Sequence, residues 1–547
     1  MLQPPSTARA LAALLCAGSI HAAQCPLDKL TAGDAGFQSL YGSAVDVSGD
    51  RAVVGAFNHT QSLFGDGAAY VYERSGASWV EVAQLAPLDA AAGDNFGCAV
   101  AIDGDTLAVS APFDDDLATS SGAVYVFERV AGVWTETAKL VPSFGSSGNR
   151  LGEAVALSGD LLVASVADDP LGFPFGVMQP GGAFVFERSG GVWTETAFLQ
   201  ASDGFPGQQF GFSVAADGAA GRVFVGAPGD EPQSIFQIPD GAVYVYELED
   251  GAWAESAKLT AADSVYLGAA CAADGDRLLL GASDAAGGPG ATGSAHVFER
   301  AGGVWNEVQK LEPQAGEGFA NYGGDVALEG GVAAVAHGGG GLIGSDRPGS
   351  VVLYALQGGS WTETAELEAP DAAPLDGFSR SLGLSGDLLV LGAPADDDHA
   401  LSSGSAYLYS VSESGCPALF GAPEFLSVTS GTEQVQLLDA GPSQAGRPYL
   451  LLGSASGTVP GISVDTVLLP LNFDVYTVYT LQIAASPLYP GSFGLLDGDG
   501  QGSAAKVVED GINPALAGLV VSYAYLTFGP LGTAQLASNA IGLTLLP

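Results

Sequence analysis

The sequence predicts an all-β chain: a seven-bladed β-propeller closed by an N-terminal strand, followed by a C-terminal β-sandwich-like domain. Three observations lead there. Six tryptophans recur at spacings from 52 residues (Trp253 to Trp305) to 60 (Trp193 to Trp253), and four short strands per period of that length describe a propeller blade. The 79 glycines among 547 residues supply the tight turns that many short strands need. A fourth strand is missing at the end of the array, and an orphan copy stands at its start.

Each unit opens with an aromatic residue or Leu followed by Gly: Tyr41-Gly42, Phe96-Gly97, Leu151-Gly152, Phe210-Gly211, Leu267-Gly268 and Tyr322-Gly323. A short first strand follows and ends in a turn such as Ser48-Gly49-Asp50 or Asp103-Gly104-Asp105, where Gly and Asp suit positive φ. A second, apolar strand ends near Gly226-Ala227-Pro228 or Gly392-Ala393-Pro394. After a variable loop, the third strand reads like Ala123 to Phe127, and a Gly turn leads to a fourth of the type Trp134-Thr135-Glu136-Thr137-Ala138-Lys139-Leu140. Large aromatics at one fixed place per unit, Trp79, Trp134, Trp193, Trp253, Trp305 and Trp361, are expected to pack between blades.

The seventh unit begins at Phe378-Ser379 and breaks off at Ser414-Gly415-Cys416 with no Trp strand. Cys25 to Leu30 matches Thr135 to Leu140 when Lys29-Leu30 is laid on Lys139-Leu140. Joining the two ends removes the open sheet edges of a linear array. The same register puts Cys25 beside Cys416, so a Cys25–Cys416 disulfide is expected in place of the absent turn, contributing roughly 4–5 kcal/mol by chain entropy. Cys98 and Cys271 fall in units that are not neighbours and are expected to be free, buried and apolar in character.

Residues 1–23 read as a signal peptide: Arg9, an apolar core from Ala10 to Ile20, and a small-residue site at His21-Ala22-Ala23. Residues 24–416 then form the propeller and 417–547 the C-terminal all-β domain. No later run reaches the roughly 18 apolar residues of a membrane span, so the expected protein is exported, to the extracellular space or the cell surface. Acidic residues outnumber basic ones 61 to 17, a formal charge of −44. That field repels nucleic acid and attracts cations.

Phe96-Gly97, Phe210-Gly211, Gly226-Ala227-Pro228 and Gly392-Ala393-Pro394 resemble the FG-GAP repeats of integrin α-subunit heads. The run Gly122 to Arg129 and the Trp134 strand are similar to FG-GAP proteins exported by bacteria. The resemblance covers roughly residues 25 to 416. It implies a propeller in extracellular recognition or adhesion, with an extracellular protein or glycan as partner and calcium bound in some blade loops. The integrin-type calcium loop, Asp-x-Asp-x-Asp-Gly-x-x-Asp, has no counterpart between the first and second strands, because those turns are too short for six to eight oxygen ligands. The acidic runs lie after the second strand instead: Asp114-Asp115-Asp116, Asp168-Asp169, Asp230-Glu231 and Asp396-Asp397-Asp398. Two readings stand for Asp114, Asp115, Asp116, Asp396, Asp397 and Asp398. They are a divalent site completed by Ser120, Ser121, Ser402 or Ser403, or solvated loops with turn-forming Asp.

From about Pro417 the repeat and its tryptophans stop, while strand-like runs continue, as at Tyr449 to Leu452 and Leu519 to Tyr523. Asp497-Gly498-Asp499-Gly500 reads as a β-turn rather than a calcium loop. His59, His296, His337 and His399 sit in different units, none at metal-ligand spacing from another, and no Gly-x-Ser-x-Gly, His-Glu-x-x-His or Cys-His nucleophile pattern occurs. No catalytic set and no cofactor other than calcium is expected. A recognition or adhesion protein is therefore the leading reading, ahead of a hydrolase or lyase acting on an extracellular polysaccharide and of a structural cell-surface component.

Overall fold

The computed structural model describes residues 26–412 except 35–37, 60–64, 77, 145–146, 167–180, 231–238, 284–292, 313–320, 339–348, 372, 374–375 and 398–401; from residue 418 onward it describes strand backbone alone. Residues 1–23, Cys25, Cys416, Asp168, Asp169, Glu231, Asp398, His399 and Asp497 to Gly500 lie outside the described residues.

Seven four-stranded antiparallel sheets account for residues 26–410. Six are simple meanders, running over 44–85, 100–140, 155–199, 214–259, 267–311 and 326–367. The seventh joins Leu382–Ser385, Leu388–Ala393 and Ser405–Ser410 to Pro26–Leu30, which lies antiparallel to Ser405–Ser410 with Lys29 opposite Tyr407. These are blades 1 to 7. The strands are all β, as the repeat predicts, and no helix among the described residues is long and apolar enough to cross a membrane.

Turn chemistry sets the ends of each blade. First and second strands are joined by two residues, such as Gly49-Asp50 and Gly104-Asp105, as are third and fourth strands, such as Ala131-Gly132. Blade 4 departs from this, its first turn spanning 218–221 between Asp217 and Arg222, and in blade 7 no turn joins the third strand to the fourth, Pro26–Leu30. At the other end the connections are long and unequal, from 112–122 in blade 2 to 167–181 in blade 3. One face of the ring is therefore uniform and the other variable.

Blades bury their faces against one another, because each sheet is apolar on both sides. Val53, Val71 and Leu85 of blade 1 pack with Phe96, Leu107, Tyr125 and Trp134 of blade 2 in one continuous core. A comparable core sits at every junction, including Leu388, Val390 and Leu408 of blade 7 against Val45, Val54 and Tyr70 of blade 1. Trp79, Trp134, Trp193, Trp305 and Trp361 are buried in these junctions, as expected; Trp253 is half-buried.

Hydrogen bonds repeat the ring on its uniform face. The turn side chain of one blade accepts from the turn glycine of the next: Ser48 Oγ from Gly104 N at 3.0 Å, Asp103 from Gly159 N at 2.7 Å, Ser385 Oγ from Gly49 N at 3.1 Å across the blade 7–blade 1 junction. The aromatic-Gly openers clip neighbouring blades through single parallel bridges, Gly67 to Phe96 and Gly404 to Tyr41 among them. At Gly97 the backbone has φ +90°, and a Cβ would stand 2.3 Å from the Ala68 carbonyl oxygen, so only glycine fits. Blade 7 has Ser379 there, at φ 68°, with its buried hydroxyl lacking a partner.

Cys98, just before the first strand of blade 2, and Cys271, on the first strand of blade 5, are free and half-buried rather than buried. Beyond the propeller, Ala418–Ala422, Thr432–Asp439 and Gln501–Val508 form one sheet. Pro448–Ser454, Val520–Phe528 and Ile541–Leu546 belong to a second.

Candidate functional site

Of the acidic runs singled out above, the described residues Asp114 to Asp116, Asp230, Asp396 and Asp397 follow the second strands on the long-loop face. What the fold brings to them is a lysine. In every blade one residue of the third strand faces one of the fourth: Tyr125 opposite Lys139, Tyr244 opposite Lys258, Tyr407 opposite Lys29. Both side chains point to the end of the blade where the second strand delivers its Asp and the entering loop delivers another.

In blade 2, Lys139 Nζ lies 2.7 Å from Asp89 Oδ2 and 2.8 Å from Asp114 Oδ2, and it also reaches Asp116. The Tyr125 hydroxyl is 2.8 Å from carboxylate oxygens of both Asp89 and Asp114. Blade 4 repeats the box with Lys258 at 2.7 Å from both Asp203 and Asp230, capped by Tyr244 and the buried amide of Gln208. In blade 7 the lysine arrives from the N-terminal strand: Lys29 Nζ is 2.7 Å from Asp371 and 2.9 Å from Asp396, with Tyr407 and Ser405 hydroxyls completing the shell.

The charges respond to one another. Burial lowers the Lys139 and Lys258 affinities for a proton, but their carboxylate partners outweigh it; Lys258 is pushed up to about 12 and Lys139 is raised further still. Burial alone would raise Asp89 and Asp203, yet hydrogen bonds from the lysine and tyrosine hold both below the usual carboxylate range. Asp376, beside the blade 7 box, is pushed up to about 6 by desolvation and then by Asp396, Asp397 and Asp371.

The structure thus brings Asp114 and Asp116 together on Lys139, while Asp115 turns away to accept from Ser120 N. Asp114 Oδ1 accepts from Asp116 N, an Asx-type turn. Asp396 is on Lys29 and Asp397 is exposed. Ser121 and Ser403 donate to the backbone carbonyls of Asp114 and Asp396. Among the described residues, no three His, Cys, Asp or Glu side chains converge as metal ligands.

The remaining blades vary the box in a correlated way. Blade 1 has Gln84 and Tyr70 on Asp34, with His59 buried 3.4 Å from that carboxylate. In blade 3, Phe198 stands in place of the lysine and Phe184 in place of the tyrosine, and Phe144 packs on both at 5.0 and 5.2 Å. Blade 5 holds a chain not anticipated from sequence, in which Ser294 Oγ is 2.9 Å from His296 Nε2 and His296 Nδ1 is 2.7 Å from Glu307. This is the order of a nucleophile relay. The hydroxyl and the imidazole are both buried, however, and burial lowers the His296 pKa against the pull of Glu307. The chain is the same core box, filled by Ser, His and Glu. Its signal in the sequence was Ser-x-His on a strand, which places both residues on one face.

The sequence profile of the FG-GAP repeat matches residues 27–72, 79–127, 134–186, 193–246 and 361–409. Each match opens in a fourth strand and ends in the third strand of the next blade; the first opens in Pro26–Leu30. No curated protein matches the chain. Among solved structures, it is similar to a crystal structure of a protein from Lactobacillus plantarum at 14% identity, with 66% of this chain and 92% of that one covered and a TM-score of 0.42. With five copies of the repeat matched between residues 27 and 409 and folded as blades of one ring, the chain belongs to the FG-GAP repeat family of β-propellers.

Proposed function

We propose that this propeller is an exported recognition protein whose long-loop face binds an extracellular protein or glycan, without catalysing a reaction. The observation that carries the reading is the asymmetry of the connections. Turns on one face are held to two residues in every blade except 4 and 7, and loops on the other range from 112–122 to 167–181. Variation confined to one face of a rigid scaffold is how loops acquire binding roles. The net charge of −44 favours cationic or neutral partners over nucleic acid.

In this reading Pro26–Leu30 closes the ring, supported by its pairing with Ser405–Ser410, by Lys29 filling the blade 7 box, and by a family match that begins inside it. The boxes hold lysine rather than calcium. A calcium ion needs six to eight oxygen ligands around its centre, and in blades 2, 4 and 7 an ammonium group stands where those carboxylates converge. The donor set does not fit the ion.

The test is an array of glycans and extracellular proteins, probed with the chain secreted from its own leader and with a variant whose 167–181 loop is replaced by the sequence of 112–122. Loss or change of the bound set in the variant is expected. An unchanged set after exchange of every long loop would contradict the proposal.

A further inference from the structure

On the uniform face, opposite the long loops, a cleft of about 470 Å³ opens between blades 3 and 4, lined among others by Asp160, Leu161, Glu187, Leu248 and Trp253. We propose that this cleft binds the guanidinium group of an arginine side chain presented by a polypeptide.

The argument rests on what fills the same place elsewhere in the ring. The third strand carries a Glu two residues from its end, followed in most blades by an Arg that lies opposite the blade's own Trp: Arg129 opposite Trp134, Arg188 opposite Trp193, Arg300 opposite Trp305. That Arg reaches back to the Glu of the preceding blade: Arg129 to Glu73 at 2.9 Å, Arg188 to Glu128 at 2.7 Å, Arg300 to Glu247 at 2.9 Å. Arg188 also covers the Trp193 ring at 5.2 Å. A second Arg, at the start of the second strand, serves Glu73, Glu247 and Glu299 from within their own blades as Arg51, Arg222 and Arg277.

At the blade 3–blade 4 junction both positions are leucine. Leu161 replaces the second kind, at the start of the second strand of blade 3 opposite Glu187, and Leu248 replaces the first, opposite Trp253 in blade 4. Among the described residues, no basic side chain pairs with Glu187. Its Oε1 takes hydrogen bonds from Trp253 Nε1 and Thr196 Oγ1, each at 3.0 Å. The indole donates there because no guanidinium competes: Nε1 of Trp134, Trp193, Trp305 and Trp361 is buried without a partner. Trp253 is accordingly the half-buried one of the six.

The cleft is therefore the space of a missing guanidinium, walled by an indole and a carboxylate. Its lining carries Asp103, Asp160 and Glu187 against Arg188, a formal charge of −2. A guanidinium can meet Glu187 through two parallel hydrogen bonds while lying on the Trp253 ring, which a lysine ammonium cannot do. The volume falls in the range of small-ligand sites.

The experiment is isothermal titration of the full chain at low salt with N-acetyl-L-argininamide, its neutral isostere N-acetyl-L-citrullinamide, and free arginine. Saturable binding of the first, none of the second and weaker binding of the third are expected, because the carboxylate of free arginine meets Asp103 and Asp160. Leu248→Arg, which supplies the chain's own guanidinium, abolishes binding, and Glu187→Gln weakens it at least about tenfold; melting curves confirm that both variants fold. No saturable binding of the argininamide, equal binding of the citrullinamide, or unchanged binding by Leu248→Arg would overturn the proposal. Equal affinity for free arginine would overturn a polypeptide as the source.

Discussion

Lys29 and Asp396, 367 residues apart in sequence, meet at 2.9 Å in the last blade. The ammonium also reaches Asp371 at 2.7 Å and stands over the Tyr407 ring. Blades 2 and 4 make the same arrangement within one repeat, with Lys139 and Lys258. In blade 7 it ties the start of the propeller to its end.

Lys29→Met leaves the buried Asp396 and its neighbour Asp371 facing each other without a countercharge. Equilibrium urea unfolding is expected to show a loss of about 2–4 kcal/mol, since removing one partner of a largely buried pair strands the other. Adding Asp396→Asn to Lys29→Met recovers part of it. Equal stability of wild type and Lys29→Met would contradict the structural role of this box.

Calcium should leave the propeller unmoved. With Lys139, Lys258 and Lys29 at the carboxylates, melting curves in excess calcium and in chelator are expected to coincide within about 1 °C, whereas ligand binding at 100 times Kd would add about 2.7 kcal/mol. A rise of several degrees in calcium would contradict the lysine reading of the boxes.

Asp46, on the first strand of blade 1, and Asp325, just before the first strand of blade 6, are expected to favour the folded state at acid pH. Asp46 is pushed up to about 7 by desolvation and secondarily by Asp103 and Asp325, and Asp325 up to about 6 by desolvation. By exposed area both are half-buried, but the atoms ringing them are almost all protein, and this enclosure sets the direction. Both folded pKa values exceed the unfolded value of about 3.9. Their contribution is therefore complete below about pH 4 and is lost as pH rises through 6 to 7. Asp89 and Asp203, held low by lysine, act oppositely and lose their contribution only as pH falls below about 4. Stability measured by urea should decline from pH 5 to pH 8, and Asp46→Asn with Asp325→Asn should flatten that decline. A wild-type profile that rises over this window would contradict the assignment.

Ser379→Gly is expected to stabilise. Ser379 holds φ 68° with its hydroxyl buried and unbonded, at the position other blades give to glycine. Removing the side chain relieves both costs, for a gain of about 1 kcal/mol in urea unfolding. A loss of stability would show that the hydroxyl has a role beyond this backbone position.

The blades were legible because their signals are local. Gly-Asp turns, the Trp of the fourth strand and the aromatic-Gly opener each need only a few neighbouring residues, and their recurrence fixed seven units. The side chains of the boxes were less so. Asp114, Asp115 and Asp116 stood out as an acidic run, while Lys139 served only as a register mark. Its meeting with Asp114 depends on a bulge after Val126, which shifts the third and fourth strands by one residue. The same bulge, after Val297, governs how Glu307 comes to His296. Counting from the turn alone turns these side chains to the wrong face. Leu248 stands where blades 1, 2, 3 and 5 have Arg, a departure from the repeat not singled out from the sequence. What it leaves open at Glu187 depends on contacts between blades, which no single repeat contains.

The ring itself is tested most directly by comparing thermal unfolding of a chain beginning at residue 24 with that of a chain beginning at residue 31. If Pro26–Leu30 is the fourth strand of the last blade, its removal exposes the edge of Ser405–Ser410 and empties the Lys29 box, and the melting temperature should fall by on the order of 10 °C or lose its single transition. An unchanged, cooperative melt in the shortened chain would contradict closure by this strand.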